Sequence, residues 1–500
     1  MNKQPNIIYI LDDDHRAEML GCAGYPVLKT PHLDQLAREG VRFTEAFCTS
    51  PVCTPSRCSH YLGQWERRHG VNFNSESSLA QEAWETSFPM QLKQQGYYVG
   101  WVGKNHVPAG DGGYESGYLE SAFDYWYGNH GHSGFYVKEL ERGKRYQQAA
   151  ADTQVEVFEE GALRFLELAG ERPFCLCVTF NLPHSFGTQS MELRETDDAL
   201  YVSAYRDQMD QLPLPDTYIP YEDISTPRLP KQVYNGRYLA SYDYVKTPEA
   251  LRERQIRMLQ TITGIDRMVG KLRTELERRG LADDTIIVFS SDHGIHLGEH
   301  GLGGKCFLYE EDLRIPLIVF DPRLPEPLRG RTLDPLVVVP DLAPTMLELA
   351  GLSAPSSMQG SSLRPWIYGE SPDWREDFMA EQLMDIQNYP KSECIRTRQW
   401  KYIRYFDRTE DPEQEGKPYR GTLDSYDDFL LDSAAGKLSP VYEELYHLSE
   451  DPGERLNLAG DPSCSAVLEQ LRRRLAERIS EARGDRHPPL TLPLTAGRNV

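Results

Sequence analysis

Cys53-Thr54-Pro55-Ser56-Arg57 places a thiol, a proline and a guanidinium within about one helical turn. Pro55 suits the first turn of a helix, where its missing N–H costs nothing, so Cys53 is expected at the positive helix end with Arg57 one turn in. Such a position stabilises an anion. A second set is the run Asp12, Asp13, Asp14, followed far downstream by Ser291-Asp292-His293-Gly294. Adjacent carboxylates raise one another's pKa, and a divalent cation removes that penalty. Asp13, Asp14, Asp292 and His293 offer hard oxygen ligands and one imidazole, which suits Ca²⁺, Mg²⁺ or Mn²⁺ better than structural zinc.

These residues need a frame. Apolar runs of strand type recur at Ile7–Leu11, Tyr97–Val102, Phe174–Phe180, Thr285–Phe289 and Pro316–Phe320. The first four are each followed at once by polar residues: Asp12 to Asp14, then Lys104 and His106, then Asn181 and His184, then Asp292 and His293. In open α/β sheets ligands bind outside the carboxyl ends of the strands, so the four sets should converge on one edge. Ile256, Leu259, Ile262, Ile265, Val269, Leu272 and Leu276 step by three or four and mark the apolar stripe of a helix ending at Gly280. The chain therefore reads as α/β, with a large, mainly parallel sheet flanked by helices over residues 1–372.

Residues 373–500 read as a smaller α+β domain. Strand-like pieces lie in Cys394–Phe406 and Tyr442–Leu448, and Val467, Leu471, Leu475 and Ile479 form a helical stripe. A charged, glycine-containing loop is expected from Asp407 to about Leu423, and the tail Pro488–Val500 is expected over the surface. Thr188–Lys246, rich in Pro, Asp and Tyr, reads as an insertion that shapes a cleft. The aromatics of Tyr114–Tyr136 could form a wall for a sugar ring or simply pack.

Composition limits the partners. Lys and Arg number 54 against 76 Asp and Glu, a net charge of −22, which opposes nucleic-acid binding. A local cluster of cations can still receive a small anion. Hydrophobic residues make up 39% and charged residues 26%, with mean hydropathy −0.56, against both a disordered and a membrane-embedded chain. Ile7–Leu11 is too short for the apolar core of a secretory signal and stops at three aspartates, so a cytoplasmic protein is expected. Nine cysteines without CxxC pairs imply neither a disulfide framework nor structural zinc, and Cys175 and Cys177, two apart in an apolar run, read as buried thiols.

Cys53 to Arg57 resembles the C-x-P-S-R signature of the type I, formylglycine-dependent sulfatases of the alkaline phosphatase superfamily. The likeness runs along most of the chain. Asp12-Asp13-Asp14-His15-Arg16 with Leu20-Gly21 resembles the opening D-D-x-R turn, and counting back from Leu20-Gly21 assigns Asp13 and Asp14 as ligands. Gly103-Lys104-Asn105-His106 resembles G-K-x-H, Pro183-His184 the family's P-H, and Ser291 through Lys305 the S-D-H-G-x-x-L-G-x-H-G-L-x-G-K block. Two departures stand out: the extra acid Asp12, and Leu62 and Gln64 where the extended signature has Thr and Arg.

The resemblance implies an alkaline phosphatase-like fold and hydrolysis of a sulfate monoester, of a short saccharide or small organic sulfate. It implies one divalent cation, most readily Ca²⁺, held by Asp13, Asp14, Asp292, His293 and the converted Cys53. It also implies that a formylglycine-generating enzyme oxidises Cys53 before folding is complete, and that the hydrated aldehyde is the nucleophile. Arg57, Lys104 and Lys305 would then stabilise the sulfate oxygens, His184 would protonate the departing alcohol with Lys305 nearby, and His106 would take a proton from the diol. Two alternatives stay open: a phosphate or phosphonate ester hydrolase of the same superfamily, and a binding protein with Cys53 unmodified.

Overall fold

The computed structural model describes residues 4–73, 77–224, 228–230, 240–384, 389, 391–406, 423–484 and 491–493. Eight strands form the main sheet: β1 (Asn6–Asp12), β2 (Val41–Phe43), β3 (Tyr98–Asn105), β4 (Tyr125–His130), β5 (Phe174–Thr179), β6 (Thr285–Ser291), β7 (Leu317–Phe320) and β8 (Arg331–Leu333). Their order across the sheet is β8-β2-β7-β6-β1-β5-β3-β4. Pairing is parallel except at β7, which runs antiparallel to both β6 and β2. The expected Pro316–Phe320 strand thus exists, but against the general direction. A parallel strand would need a crossover back to the opposite edge. Residues 292–316 instead remain at the carboxyl edge of β6, where they carry His293 and Lys305, and β7 starts from that edge.

Both faces of the sheet are covered, which is why its central strands read as unbroken apolar runs. On β1, Ile7, Tyr9 and Leu11 enter one core with Tyr61, Phe88 and Trp101. Ile8 and Ile10 enter the other, against Phe158 and Phe165 of α3 (Gln154–Ala169) and Ile265, Val269 and Leu272 of α4 (Pro248–Arg278). All seven residues of the predicted α4 stripe are buried. The helix begins earlier than the stripe, at Pro248, where the Thr247 side chain accepts the Ala250 N–H. The remaining labelled helices are α1 (Pro31–Glu39), packed beside β7, and α2 (Cys53–Leu62).

A second, antiparallel sheet follows, with β9 (Asp377–Gln382), β10 (Ser392–Thr397), β11 (Trp400–Tyr405) and β12 (Tyr442–His447) in consecutive order. The helix Ser465–Arg483 covers it through Leu468, Leu471, Leu475 and Ile479. Buried ion pairs surround this sheet, and those of Arg67 and Glu310 tie it to the preceding part of the chain. Arg67 donates to Glu381 and Glu393, and Lys401 lies 2.8 Å from both Glu310 and Glu454. The expected loop from Asp407 lies outside the described residues, apart from Leu423, which opens a helix to Ala434. Of the tail, Thr491–Pro493 pairs antiparallel with Ser77–Leu79, and the rest lies outside the described residues. The insertion Thr188–Lys246 forms short turns of helix where described, such as Ala199–Ser203. Among the described residues no helix is long and apolar enough to cross a membrane.

Candidate active site

Four strand ends supply the polar side chains. Asp12 closes β1 and Asp13 and Asp14 follow; Lys104 and Asn105 close β3 before His106; Asn181 and His184 follow β5; Asp292 and His293 follow β6. Asp14 holds a positive φ of 64°, uncommon for a residue with a Cβ, so the turn is fixed against a local cost. Gly103 explains itself physically. Its φ is +97°, and a Cβ there would lie 2.0 Å from the Thr179 carbonyl oxygen, so only glycine lets Lys104 leave the strand in this direction. The helix α2 begins at Cys53, with its N-cap at Val52.

The ten residues singled out by sequence lie together at this edge. Cys53 Sγ is 3.6 Å from Asp13 Oδ1 and 3.4 Å from His293 Nε2. Arg57 donates through Nε to Asp292 Oδ2 at 2.8 Å, and through Nη2 to Asp13 Oδ2 at 3.1 Å and the Phe180 carbonyl at 3.0 Å. Lys104 Nζ donates to Asp13. Lys305 Nζ is 2.9 Å from Asp14 Oδ1, 3.1 Å from Cys53 Sγ and 3.3 Å from His293 Nε2. His106 hydrogen-bonds to none of the described residues through either ring nitrogen, and its ring stands edge-on to His132 at 4.6 Å. Most of these side chains are wholly buried, but Lys305 and His184 keep 5% and 7% exposure. Those two mark the side from which a ligand arrives.

Charge partners set the protonation states. Burial works to raise the Asp13 carboxyl, but Lys104 foremost, with Lys305, His184 and Arg57, holds it well below the usual carboxylate range. Burial wins at Asp14, helped by Asp13, and raises it. For His293 burial pulls downward, yet Asp292 overrides it and lifts the imidazole to about 9. Burial, then Lys305, pushes His184 well below the usual histidine range, and burial with Lys104 does the same to His106. The Phe186 N–H donates to His184 Nδ1 at 3.0 Å, so the neutral ring carries its proton on Nε2.

A divalent cation fits this donor set. One ligand atom each from Asp13, Cys53, Asp292 and His293 lies within 4.8 Å of all the others, and Asp13, Asp14 and His184 form a second such group. The Lys305 ammonium already stands among these donors as a cation, and buried Asp14 Oδ2 has no hydrogen-bond partner among the described residues. His293 Nδ1 donates to the Gly294 carbonyl at 2.9 Å, which turns Nε2 toward Cys53 and Asp13.

Several contributors escape a sequence reading. The extra acid, Asp12, pairs with His15 Nδ1 at 2.8 Å, while His15 Nε2 meets the Met19 carbonyl at 2.8 Å. Burial raises Asp12 to about 6. His132 Nδ1 is 2.9 Å from Asn181 Oδ1, and its ring stands 4.6 Å from both His106 and His184. Arg254, buried on α4, brings Nη2 to 3.9 Å from Asp14 Oδ2. No local pattern distinguishes His132 or Arg254 from ordinary polar residues, and the Asp12–Asp14 run does not show that Asp12 pairs with His15. The aromatic stretch divides: Phe123, Phe135 and Tyr136 are core, whereas Tyr114 reaches the site beside His106, with ring centroids 6.1 Å apart. Gln64, at the position of the family's arginine, is buried, and Arg67, three residues on, is a buried guanidinium paired with Glu381 and Glu393.

Known proteins resemble the chain along most of its length. The N-acetylglucosamine-6-O-sulfatase of Bacteroides thetaiotaomicron is 28% identical over 473 residues, covering 81% of this chain and 79% of its own length. Human N-sulphoglucosamine sulphohydrolase is 27% identical, covering 94% and 89%. A solved protein in complex with its substrate D-glucosamine-2-N,6-O-disulfate superposes with a TM-score of 0.66 at 22% identity, over 97% of this chain and all of that one. The phosphonate monoester hydrolase of Agrobacterium radiobacter gives 0.70 at 20% identity, over 96% of each chain. These two structures share the fold. The C-terminal model of N-sulphoglucosamine sulphohydrolase matches residues 298–415. With the sulfatase model matching residues 5–352, the chain belongs to the sulfatase family, hydrolases of sulfuric esters.

Proposed function

We propose that the protein hydrolyses the sulfate monoester of a short saccharide, with Cys53 converted to formylglycine by a formylglycine-generating enzyme and with one Ca²⁺ bound. The observation that carries this reading is the buried meeting of Cys53 with Asp13, Asp292 and His293 beside three cationic side chains. A cation held by Asp13, Asp14, Asp292 and His293 supplies positive charge beside residue 53 and acidifies the hydroxyl that formylglycine presents there. Arg57 fixes the two carboxylates by bonding to both Asp13 and Asp292. Lys104 and Lys305 hold the sulfate oxygens, whose charge grows as the S–O bond breaks. His184 offers its Nε2 proton to the departing alcohol, and His106, with two uncommitted ring nitrogens, accepts a proton from residue 53.

The choice of a sugar rests on the named substrates of the relatives above and on the net charge of −22, which disfavours long polyanions. Nine unpaired cysteines, seven of them buried, suit the reducing cytoplasm. The decisive experiment is peptide mass spectrometry across Cys53, paired with rates on an aryl sulfate, a phosphate monoester and a phosphonate monoester. An intact thiol in protein from a host with the maturing enzyme, or preference for the phosphonate, would overturn the reading.

A further inference from the structure

We propose that Phe186 determines specificity, as the platform on which the alcohol half of the substrate, a pyranose ring, stacks outside the sulfate pocket. The inference rests on the reading above and names what it leaves open: how the enzyme holds the non-sulfated part.

Among the described residues five large hydrophobic side chains are exposed, and Phe186, at 46%, is the one aromatic. Its exposure is not shared by its surroundings, since Ser185, Gly187 and Thr188 are all buried. The backbone beneath it is held firmly. The Phe186 N–H is bonded to His184 Nδ1 at 3.0 Å, and a Cβ on Gly187 would come within 2.7 Å of Leu182 and 3.1 Å of the Asn181 carbonyl oxygen. The backbone that carries the ring therefore needs no reordering on binding.

Three rings lead outward from the cationic pocket. His132 lies 3.4 Å from the Lys104 ammonium, its ring is 4.6 Å from that of His184 and 6.0 Å from that of Phe186. Exposure rises from 0% at Lys104 through half-buried His132 to 46% at Phe186, with His184 alongside at 7%. A sulfate bound by Lys104 and Lys305, with its ester oxygen at His184, directs the rest of the molecule past His184 toward that ring. The apolar C–H face of a pyranose matches the negative face of a phenyl ring, while its hydroxyl groups stay in water.

The test is calorimetric titration of the full-length chain with Cys53 unconverted and Ca²⁺ present, using glucosamine 6-sulfate and inorganic sulfate as probes. Phe186→Ala should weaken the sugar sulfate about five- to tenfold, the scale of one aromatic contact, and leave inorganic sulfate within about twofold. Phe186→Trp should restore the sugar affinity. Equal loss for both probes, no loss for the sugar sulfate, or failure of tryptophan to rescue would each overturn the proposal. Aryl sulfate hydrolysis by the converted protein reports separately on catalysis: turnover without the sugar contrast refutes only the platform, and the contrast without turnover refutes only the catalytic reading.

Discussion

Asp292→Asn changes charge and hydrogen-bond polarity at nearly constant shape, so its effects separate cleanly from packing. One oxygen of Asp292 accepts Arg57 Nε at 2.8 Å and the other accepts the His293 N–H at 3.0 Å. Either orientation of the amide thus sets a donor against a donor. Losing one charge-assisted bond in a fully buried pair costs about 1.5–3 kcal/mol, and this loss should appear even in chelator. The proposed cation adds a second, separable loss. Removing a direct carboxylate ligand should weaken its binding at least as much as the roughly 100-fold ceiling for residues that only orient a ligand. At a metal concentration about 1,000 times the natural Kd, bound cation adds about 4 kcal/mol of stability, whereas a Kd weakened about 100-fold leaves about 1.4 kcal/mol. Urea unfolding of both proteins, with excess Ca²⁺ and with chelator, measures both differences. An equal Ca²⁺ increment in the two proteins would refute Asp292 as a ligand whatever happens to activity.

Three further outcomes follow from the same geometry. His184→Ala should slow sulfate esters of sugars by about 10²- to 10⁴-fold, the usual worth of a positioned proton donor, but nitrophenyl sulfate far less, because that anion leaves unaided; equal losses in kcat on the two esters would remove His184 from the role. His296, 2.7 Å from Asp312, is lifted to about 9 by that carboxylate despite the larger downward pull of burial. Since its folded pKa lies above the unfolded value, the pair's contribution of about 3 kcal/mol is complete below about pH 6.5 and fades as pH rises to about 9; Asp312→Asn should flatten that part of the stability profile, and an unchanged slope would count against the pair. Arg67→Met leaves buried Glu381 without its cation, whereas Glu393 keeps Arg404, and should cost about 3–5 kcal/mol in denaturant titration; a loss below about 1 kcal/mol would mean the fork adds little.

The strand runs and the polar residue after each were legible because a sheet covered on both faces writes itself as unbroken apolar segments, and the turns at its carboxyl edge must be polar. What the pattern lacks is direction. Leu317–Phe320 is as apolar as its neighbours, and nothing in it marks an antiparallel strand. Val41–Phe43 and Arg331–Leu333, three residues each, are too short to carry a period. Site residues on strand ends were readable by position, but Arg254 comes from a helix face and Phe186 from a five-residue helix. Arg254 reaches the site through tertiary packing alone, and Phe186, though only two residues after His184, carries no mark of its exposure in the sequence. Arg67 shows the same limit: its guanidinium is buried, and the acids that answer it lie more than 300 residues away.

The bond from Arg57 to Asp292 spans 235 residues. On a ribosome adding about 5–20 residues per second, roughly 10–50 s separate the emergence of these two side chains. During that interval the charge of Arg57 has no Asp292 to meet, and the Cys53 thiol has no His293 to bury it. Sequence distance thus acts as a clock. If Cys53 is converted during synthesis, as proposed above, the maturing enzyme has tens of seconds in which to reach it, and the translation rate across residues 53 to 293 would then bear on how much of the protein is converted.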